Sequence, residues 1–369
     1  MKLVRAHIER FKGLRELDLD FLNSRGLVRN RLLVLGDNGS GKTTLLQAIA
    51  LVLGMATRRV RDPESFPWYG FIPERLSSLG QTRIELQVIF DDDEISATHE
   101  LYEECRRTLP DDETSEWIPP GNDKTVTLHY SRGKVEAAQG AAARMQFLGR
   151  YYLKRIQRTR PDLRGAFARV GDVFWFDQFR NLGTLLSDPD RDELAKPDGW
   201  SAGVEQLRSY LVVWWSYHLT RQARRGEADL GGRDYISLLE QHMARVFPGF
   251  HFVGTEPRKG IEVPGPSDFL VLVERDGCDV PYDIAEMSSG EQAVFPLAYE
   301  MARLEIAKSV VLLDELELHL HPPEQQALYS NLPKLAPDCQ FIVTSHSKYL
   351  DDIVPEDAKM RLKGGRLCL

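Results

Sequence analysis

The run Gly36-Asp37-Asn38-Gly39-Ser40-Gly41-Lys42-Thr43 constrains this chain more than any other stretch. It follows the apolar segment Leu32-Leu33-Val34-Leu35 and leads into Leu45, Leu46, Ile49 and Leu53. A continuous apolar segment reads as a strand covered on both faces, and apolar residues three and four apart read as a helix. Between them, glycines let backbone N–H groups curl around phosphate oxygens where the helix dipole favours an anion. Lys42 then reaches the terminal phosphates and the Thr43 hydroxyl ligates magnesium. The candidate nucleotide contacts are Gly36, Asn38, Gly39, Ser40, Gly41, Lys42, Thr43 and Thr44. A chance glycine-rich turn would lack both flanking elements. The helix is expected over Thr43–Leu53, with Gly54 as its C-terminal cap.

Around this unit the pattern changes period. Val4, Ala6 and Ile8, then Leu17, Leu19 and Phe21, alternate with polar residues, as do Ile84-Leu86-Val88-Phe90 and Val126-Leu128-Tyr130. Such alternation predicts half-buried antiparallel strands forming one sheet. Residues 137–247 read as mostly helical, broken by a short buried strand at Val173-Phe174-Trp175-Phe176. Strands return at Phe269–Val273, Val310–Leu313 and Phe341–Val343, with helices from about Gly290 and over Glu324–Leu332. No heptad run or internal repeat is present. The expected organisation is a discontinuous α/β unit, 1–95 and 265–369, holding a mainly helical insertion at 96–264.

Three further motifs carry chemistry. The apolar strand ending in Asp314-Glu315 places one carboxylate at the magnesium shell and a second where it can polarise a water. Met287-Ser288-Ser289-Gly290-Glu291-Gln292 opens a helix, and Thr344-Ser345-His346 follows the last apolar strand. A Ser-Ser-Gly turn is also an ordinary N-cap, and a lone histidine after a strand usually does nothing.

Taken together and in this order, the four motifs resemble the ABC ATPase superfamily. Ile8-Glu9-Arg10-Phe11-Lys12-Gly13-Leu14 and Asp314-Glu315-Leu316-Glu317-Leu318-His319-Leu320-His321-Pro322 look like segments of its RecF, SMC and OLD branch. The resemblance covers roughly residues 1–90 and 265–369. It implies an ABC-type head: a P-loop core plus an antiparallel β subdomain. It also implies an ATP-dependent head-to-head homodimer or larger assembly, with magnesium bound by Thr43, Asp314 and Gln178. Ser288, Ser289 and Gly290 would grip the nucleotide of the other copy. Glu315 would act as the base, with His346 and Gln178 sensing the γ-phosphate. Leu316 stands where the branch has proline and Met287 where the signature has leucine, both apolar exchanges. Gln178 is chosen for its place after the strand at 173–176, against the reading of a surface glutamine. Arg10 and Lys12 are candidate nucleotide neighbours, against the reading of a solvated strand edge.

His319 and His321 lack a third ligand nearby, so no metal site is expected there. Arg150, Lys154, Arg155, Arg158, Arg160, Arg164 and Arg169, with Tyr151 and Tyr152 among them, form the most basic strip, a candidate surface for DNA or RNA or for an acidic partner, against the reading of a solvated helix face. A net charge of −8 argues against nucleic-acid binding over the whole surface. Cys105, Cys278, Cys339 and Cys368 lack paired spacing and read as reduced thiols. With no secretory signal, and with Leu211–Trp215, the longest run that looks membrane-like, far too short to span a bilayer, the chain is expected to be cytoplasmic, without a membrane partner. With only a short tail after His346, the Toprim nuclease found in some OLD-type relatives is not expected here, and the resemblance then implies a separate nuclease or toxin effector and an anti-phage role. A RecF-like repair ATPase binding DNA, an ATP-gated scaffold and a transporter subunit are the alternatives.

Overall fold

A computed structural model describes residues 1–110, 117–178, 200–224, 233–277, 280–363 and 366–368. They fall into two compact units, Met1–Gln178 with Ile306–Leu316 and Ala336–Leu369, and Phe179–Glu305 with Glu317–Leu335.

In chain order the regular elements are β1 (Lys2–Phe11), β2 (Leu14–Asp20), β3 (Arg31–Leu35), α1 (Lys42–Ala56), β4 (Arg83–Ile89), α2 (Asp92–Thr108), β5 (Thr125–Ser131), β6 (Lys134–Ala137), α3 (Ala141–Met145), α4 (Gly149–Ile156), β7 (Val173–Phe176) and α5 (Trp200–Ala223). They continue with α6 (Tyr235–Ala244), β8 (Phe250–Pro257), β9 (Phe269–Arg275), β10 (Tyr282–Asp283), α7 (Ser289–Arg303), β11 (Val310–Leu313), α8 (Pro322–Leu335), β12 (Gln340–Ser345), α9 (Lys348–Ile353), β13 (Lys359–Lys363) and β14 (Arg366–Cys368).

The first unit is built on two sheets. The antiparallel one runs β2-β1-β4-β5-β6 and joins the alternating strands expected from the sequence. A bulge between Leu3 and Arg5 shifts the β1–β4 register, so Leu3 is buried where alternation from Ile8 points to Val4. The second sheet runs β14-β13-β3-β12-β11-β7, with β13, β3, β12, β11 and β7 all parallel. Helix α1 is apolar around nearly its whole circumference because it packs against both sheets, on β1, β4, β7 and β12.

Gly54 does not end α1, which continues to Ala56 with Thr57 as its C-cap. A Cβ at Gly54 would come within 2.8 Å of Val60 Cγ2, so the glycine serves the returning chain rather than a left-handed cap. Helices α2 and α4 pack on each other through Leu101, Tyr102, Tyr152 and Leu153. These units divide the chain differently from a boundary at 96–264, because β5 pairs with β4 over its full length, Arg83 opposite Ser131 through Ile89 opposite Thr125.

The second unit contains the sheet β10-β9-β8 and helices α5 to α8. Trp214 of α5 stacks on Tyr235 at 4.7 Å and lies 5.2 Å from Tyr299 of α7. Among the described residues, no helix is long and apolar enough to cross a membrane. Cys105 and Cys339 are buried free thiols whose pKa values burial pushes up to about 12, so they stay protonated; Cys278 lies outside the described residues.

Candidate nucleotide site

Four parallel strands deliver four loops to one edge. Leu35 pairs with Ser345, and Leu313 pairs with both Val343 and Phe176, so the C-terminal ends of β3, β12, β11 and β7 lie side by side. The P-loop, His346, Asp314-Glu315 and Gln178 therefore emerge along the edge where open α/β sheets bind ligands.

The loop between β3 and α1 is shaped by its glycines. Gly39 and Gly41 have φ values of 78° and 98°, in the left-handed region. At Gly36 a Cβ would meet Leu362 O and Ser40 Oγ, both at 2.5 Å. Gly41 is the N-cap of α1; no side chain caps it and no acidic residue occupies the first turn, among the described residues. The first N–H groups of the helix, through Thr43 and Thr44, thus have no intrahelical acceptor. Lys42 is buried, and its ammonium donates to Gly36 O at 2.7 Å and Asp37 O at 3.1 Å. Ser40 Oγ is buried with no hydrogen-bond partner among the described residues, while Asn38 is exposed. An orphaned hydroxyl, uncapped amides and a buried ammonium around one cradle fit a phosphate chain.

The carboxylate beside this cradle is fixed on both oxygens. Asp314 is fully buried; Thr43 Oγ1 donates to its Oδ2 at 2.8 Å and Thr344 Oγ1 donates to its Oδ1 at 2.5 Å. Donating its proton leaves the Thr43 oxygen's lone pairs available, so hard oxygen ligands from Thr43 and Asp314 fit magnesium. Glu315 is half-buried, with φ at 47°. Its N–H donates to Thr344 Oγ1 at 2.9 Å, and the next N–H, of Leu316, donates to Thr344 O at 3.1 Å. Sequence reasoning assigned no role to Thr344, yet a threonine and a serine closing the buried strand after Phe341-Ile342-Val343 are the signal that marks it. His346 and Gln178 are both exposed on this edge.

The two basic residues of the first hairpin separate. Lys12 donates to Gln47 of α1 at 2.8 Å and sits 5.4 Å over the Phe71 ring; burial, then the charge of Arg75, lower its pKa. Arg10 instead lies against Gly80, whose Cβ would come within 3.5 Å of its Cδ.

The basic strip at 150–169 is not a continuous cationic surface. Arg150 is buried, 4.7 Å from the Phe167 ring and 5.1 Å from that of Phe174. Arg160 pairs with Glu104 and Asp162, and Arg169 with Asp93 and Glu100. Tyr152 is buried against Tyr102. The acidic face of α2 absorbs charge that the sequence strip offered to a nucleic acid.

In the second unit, Ser288 is the N-cap of α7. It forms a capping box with Glu291: Glu291 N–H donates to Ser288 Oγ at 3.3 Å, and the serine N–H and hydroxyl both return to Glu291 Oε2, at 2.9 and 2.7 Å. Ser289 opens the helix. Gly290 allows close approach, since a Cβ there would lie 3.2 Å from both His319 O and Glu324 Oε2. The signature-like turn thus rests on the segment carrying His319 and His321. Upstream, Arg208 of α5 makes a bidentate pair with Asp283, whose carboxylate also accepts the N–H groups of Ala285 and Val271.

A family model described as "AAA domain, putative AbiEii toxin, Type IV TA system" matches residues 143–352, more than half of the chain, and a second, "AAA domain", matches 5–134. The OLD nuclease of Thermus scotoductus is 25% identical over 368 residues, covering 95% of this chain and 60% of that protein. The Escherichia coli protein named "Retron Ec83 probable ATPase" is 31% identical, covering 99% of this chain and 72% of its own length. The chain therefore spans between three fifths and three quarters of these relatives. Among solved structures, an Smc head bound to the C-terminal winged-helix domain of ScpA aligns with TM-score 0.53 and 14% identity over 100% of this chain and 98% of the other. An Smc head with an extended coiled coil, bound to the C-terminal domain of ScpA derived from Pyrococcus furiosus, aligns with TM-score 0.51 and 13% identity over 99% and 94%. These structures share the fold. With its P-loop, signature-like helix and buried aspartate in this order, the chain belongs to the AAA-domain ATPases of the ABC type, in the RecF, SMC and OLD branch.

Proposed function

We propose that the chain hydrolyses ATP slowly with magnesium and uses ATP binding to close head to head with a second copy. The observation that carries this reading is Asp314, fully buried and bonded on both oxygens, with Glu315 directly after it. When bound, magnesium supplies positive charge to the phosphates, held by Thr43 and Asp314. Lys42 exchanges its carbonyl partners for phosphate oxygens, and the loop amides and Ser40 hold the chain of phosphates. Glu315 orients a water and takes its proton, while His346 and Gln178 read the terminal phosphate. Ser288, Ser289 and Gly290 of the second copy close the site.

The cellular role we propose is sensor or scaffold in an anti-phage system with a separate nuclease or toxin effector, docked on the helical part of residues 96–264. The similarity to a retron ATPase, an OLD nuclease and the AbiEii family supports it. The test is light scattering of Glu315→Gln with and without Mg-ATP, beside Lys42→Ala and a phosphate-release assay. An ATP-dependent dimer that Lys42→Ala abolishes, with release lost in Glu315→Gln, is expected. A chain monomeric under every condition, or Glu315→Gln turning over like the wild type, would refute the reading.

A further inference from the structure

We infer that Thr344 is a positioning residue for hydrolysis, its single hydroxyl setting Asp314 and Glu315 at once; this rests on Glu315 acting as the base. Thr344 is fully buried at the end of β12. Its oxygen accepts the Glu315 N–H at 2.9 Å while its proton goes to Asp314 Oδ1 at 2.5 Å. The Leu316 N–H adds a bond to Thr344 O at 3.1 Å. Two successive N–H groups are thereby fastened to one residue across the gap between β11 and β12.

That double fastening falls where it is needed. Glu315 has φ of 47°, a region that side chains such as glutamate rarely adopt and that persists where surrounding bonds over-determine it. The peptide on either side of the Glu315 Cα sets the direction of its carboxylate, so the Thr344 hydroxyl controls the aim of the base. The same hydroxyl blocks rotation of Asp314, whose other oxygen is held by Thr43 at 2.8 Å. One proton and one lone pair on Thr344 therefore keep the metal-side carboxylate and the water-side carboxylate in register.

Valine has the shape of threonine without the hydroxyl, so Thr344→Val removes the coupling and keeps the packing. Partners that orient metal ligands are worth roughly 10- to 100-fold in activity, and a loss of that size in kcat is expected. Binding of ATP in EDTA, which reports the P-loop alone, is expected to stay at the wild-type value, and Thr344→Ser to restore turnover. Wild type, Thr344→Val, Thr344→Ser and Glu315→Gln are compared by steady-state phosphate release over a range of ATP, by ATP titration in EDTA and by thermal melting. No turnover in the wild type, or equal turnover in Glu315→Gln, sinks the hydrolysis reading and this inference with it. With wild-type turnover that Glu315→Gln abolishes, an unchanged kcat in Thr344→Val overturns the role of Thr344 alone. A kcat loss matched by lost ATP affinity, or one that serine does not restore, makes Thr344 structural and overturns it too.

Discussion

Replacing Arg208 by methionine isolates the energetics of the ion pair beneath the signature-like turn. Arg208 and Asp283 are both buried, at 2% and 6% exposure, so removing the guanidinium strands a carboxylate away from water. Breaking such a pair from one side costs about 3–5 kcal/mol, and the low end is expected because the Val271 and Ala285 N–H groups still serve Asp283. For a cooperative unit of this size, about 3 kcal/mol lowers the melting temperature by roughly 6–12 °C. In the wild type, burial opposes the Asp283 charge, but the Arg208 guanidinium and those two N–H groups outweigh it and hold its pKa below the usual carboxylate range. A depressed pKa stabilises the fold above the unfolded value, roughly 3.9, and that stabilisation is lost as pH falls through the folded value. Without Arg208 burial dominates and the folded pKa rises, so protonation then favours the folded state. The deficit of Arg208→Met should therefore be largest near neutral pH and shrink as pH falls toward 5, while the double variant Arg208→Met/Asp283→Asn, which removes the stranded charge and keeps one oxygen for these N–H groups, regains part of the loss. Urea melts at several pH values measure it. A single variant within about 1 kcal/mol of wild type, or a deficit that does not change with pH, refutes the argument.

Two further outcomes follow from buried groups. His242 is held neutral, with burial, then the nearby Arg245 charge, lowering its pKa to about 4 against the pull of the Ala298 carbonyl. The unfolded chain takes up that proton below roughly pH 6.5, so stability should fall between there and about pH 4, by on the order of 3 kcal/mol, and denaturant melts of His242→Gln should show a flatter slope. Gly36→Ala places a Cβ 2.5 Å from Leu362 O, a backbone atom that cannot swing away. Displacing the loop is expected to cost about 1–3 kcal/mol in stability and to abolish nucleotide binding, read by calorimetry with and without ATP.

Much of the nucleotide unit was legible because its signals are local. Leu32–Leu35, the glycines and the helical spacing after Lys42 report on neighbours in sequence, and so do Asp314-Glu315 and Ser345-His346 at strand ends. Signals that depend on what lies opposite were not legible. The bulge at Leu3–Arg5 depends on β4, Gly54 on Val60, and the burial of Arg150 on Phe167 and Phe174. Arg160 and Arg169 look like free cations until α2 brings Glu104, Asp93 and Glu100 to them. Thr344 was hidden for a further reason. Its hydroxyl matters through two other residues, and no spacing rule connects position 344 to position 314.

The ammonium of Lys42 is already satisfied, by the carbonyls of Gly36 and Asp37. Nucleotide capture is then an exchange of partners rather than the filling of a vacancy. A ligand that reaches the loop amides but not this lysine leaves the internal bonds in place and gains little from it. One long enough to draw the ammonium away must offset two broken hydrogen bonds, which a doubly charged terminal phosphate can do and a neutral hydroxyl cannot. On the proposed reading, the length and charge of a ligand's phosphate chain decide whether it can draw Lys42 from these two carbonyls.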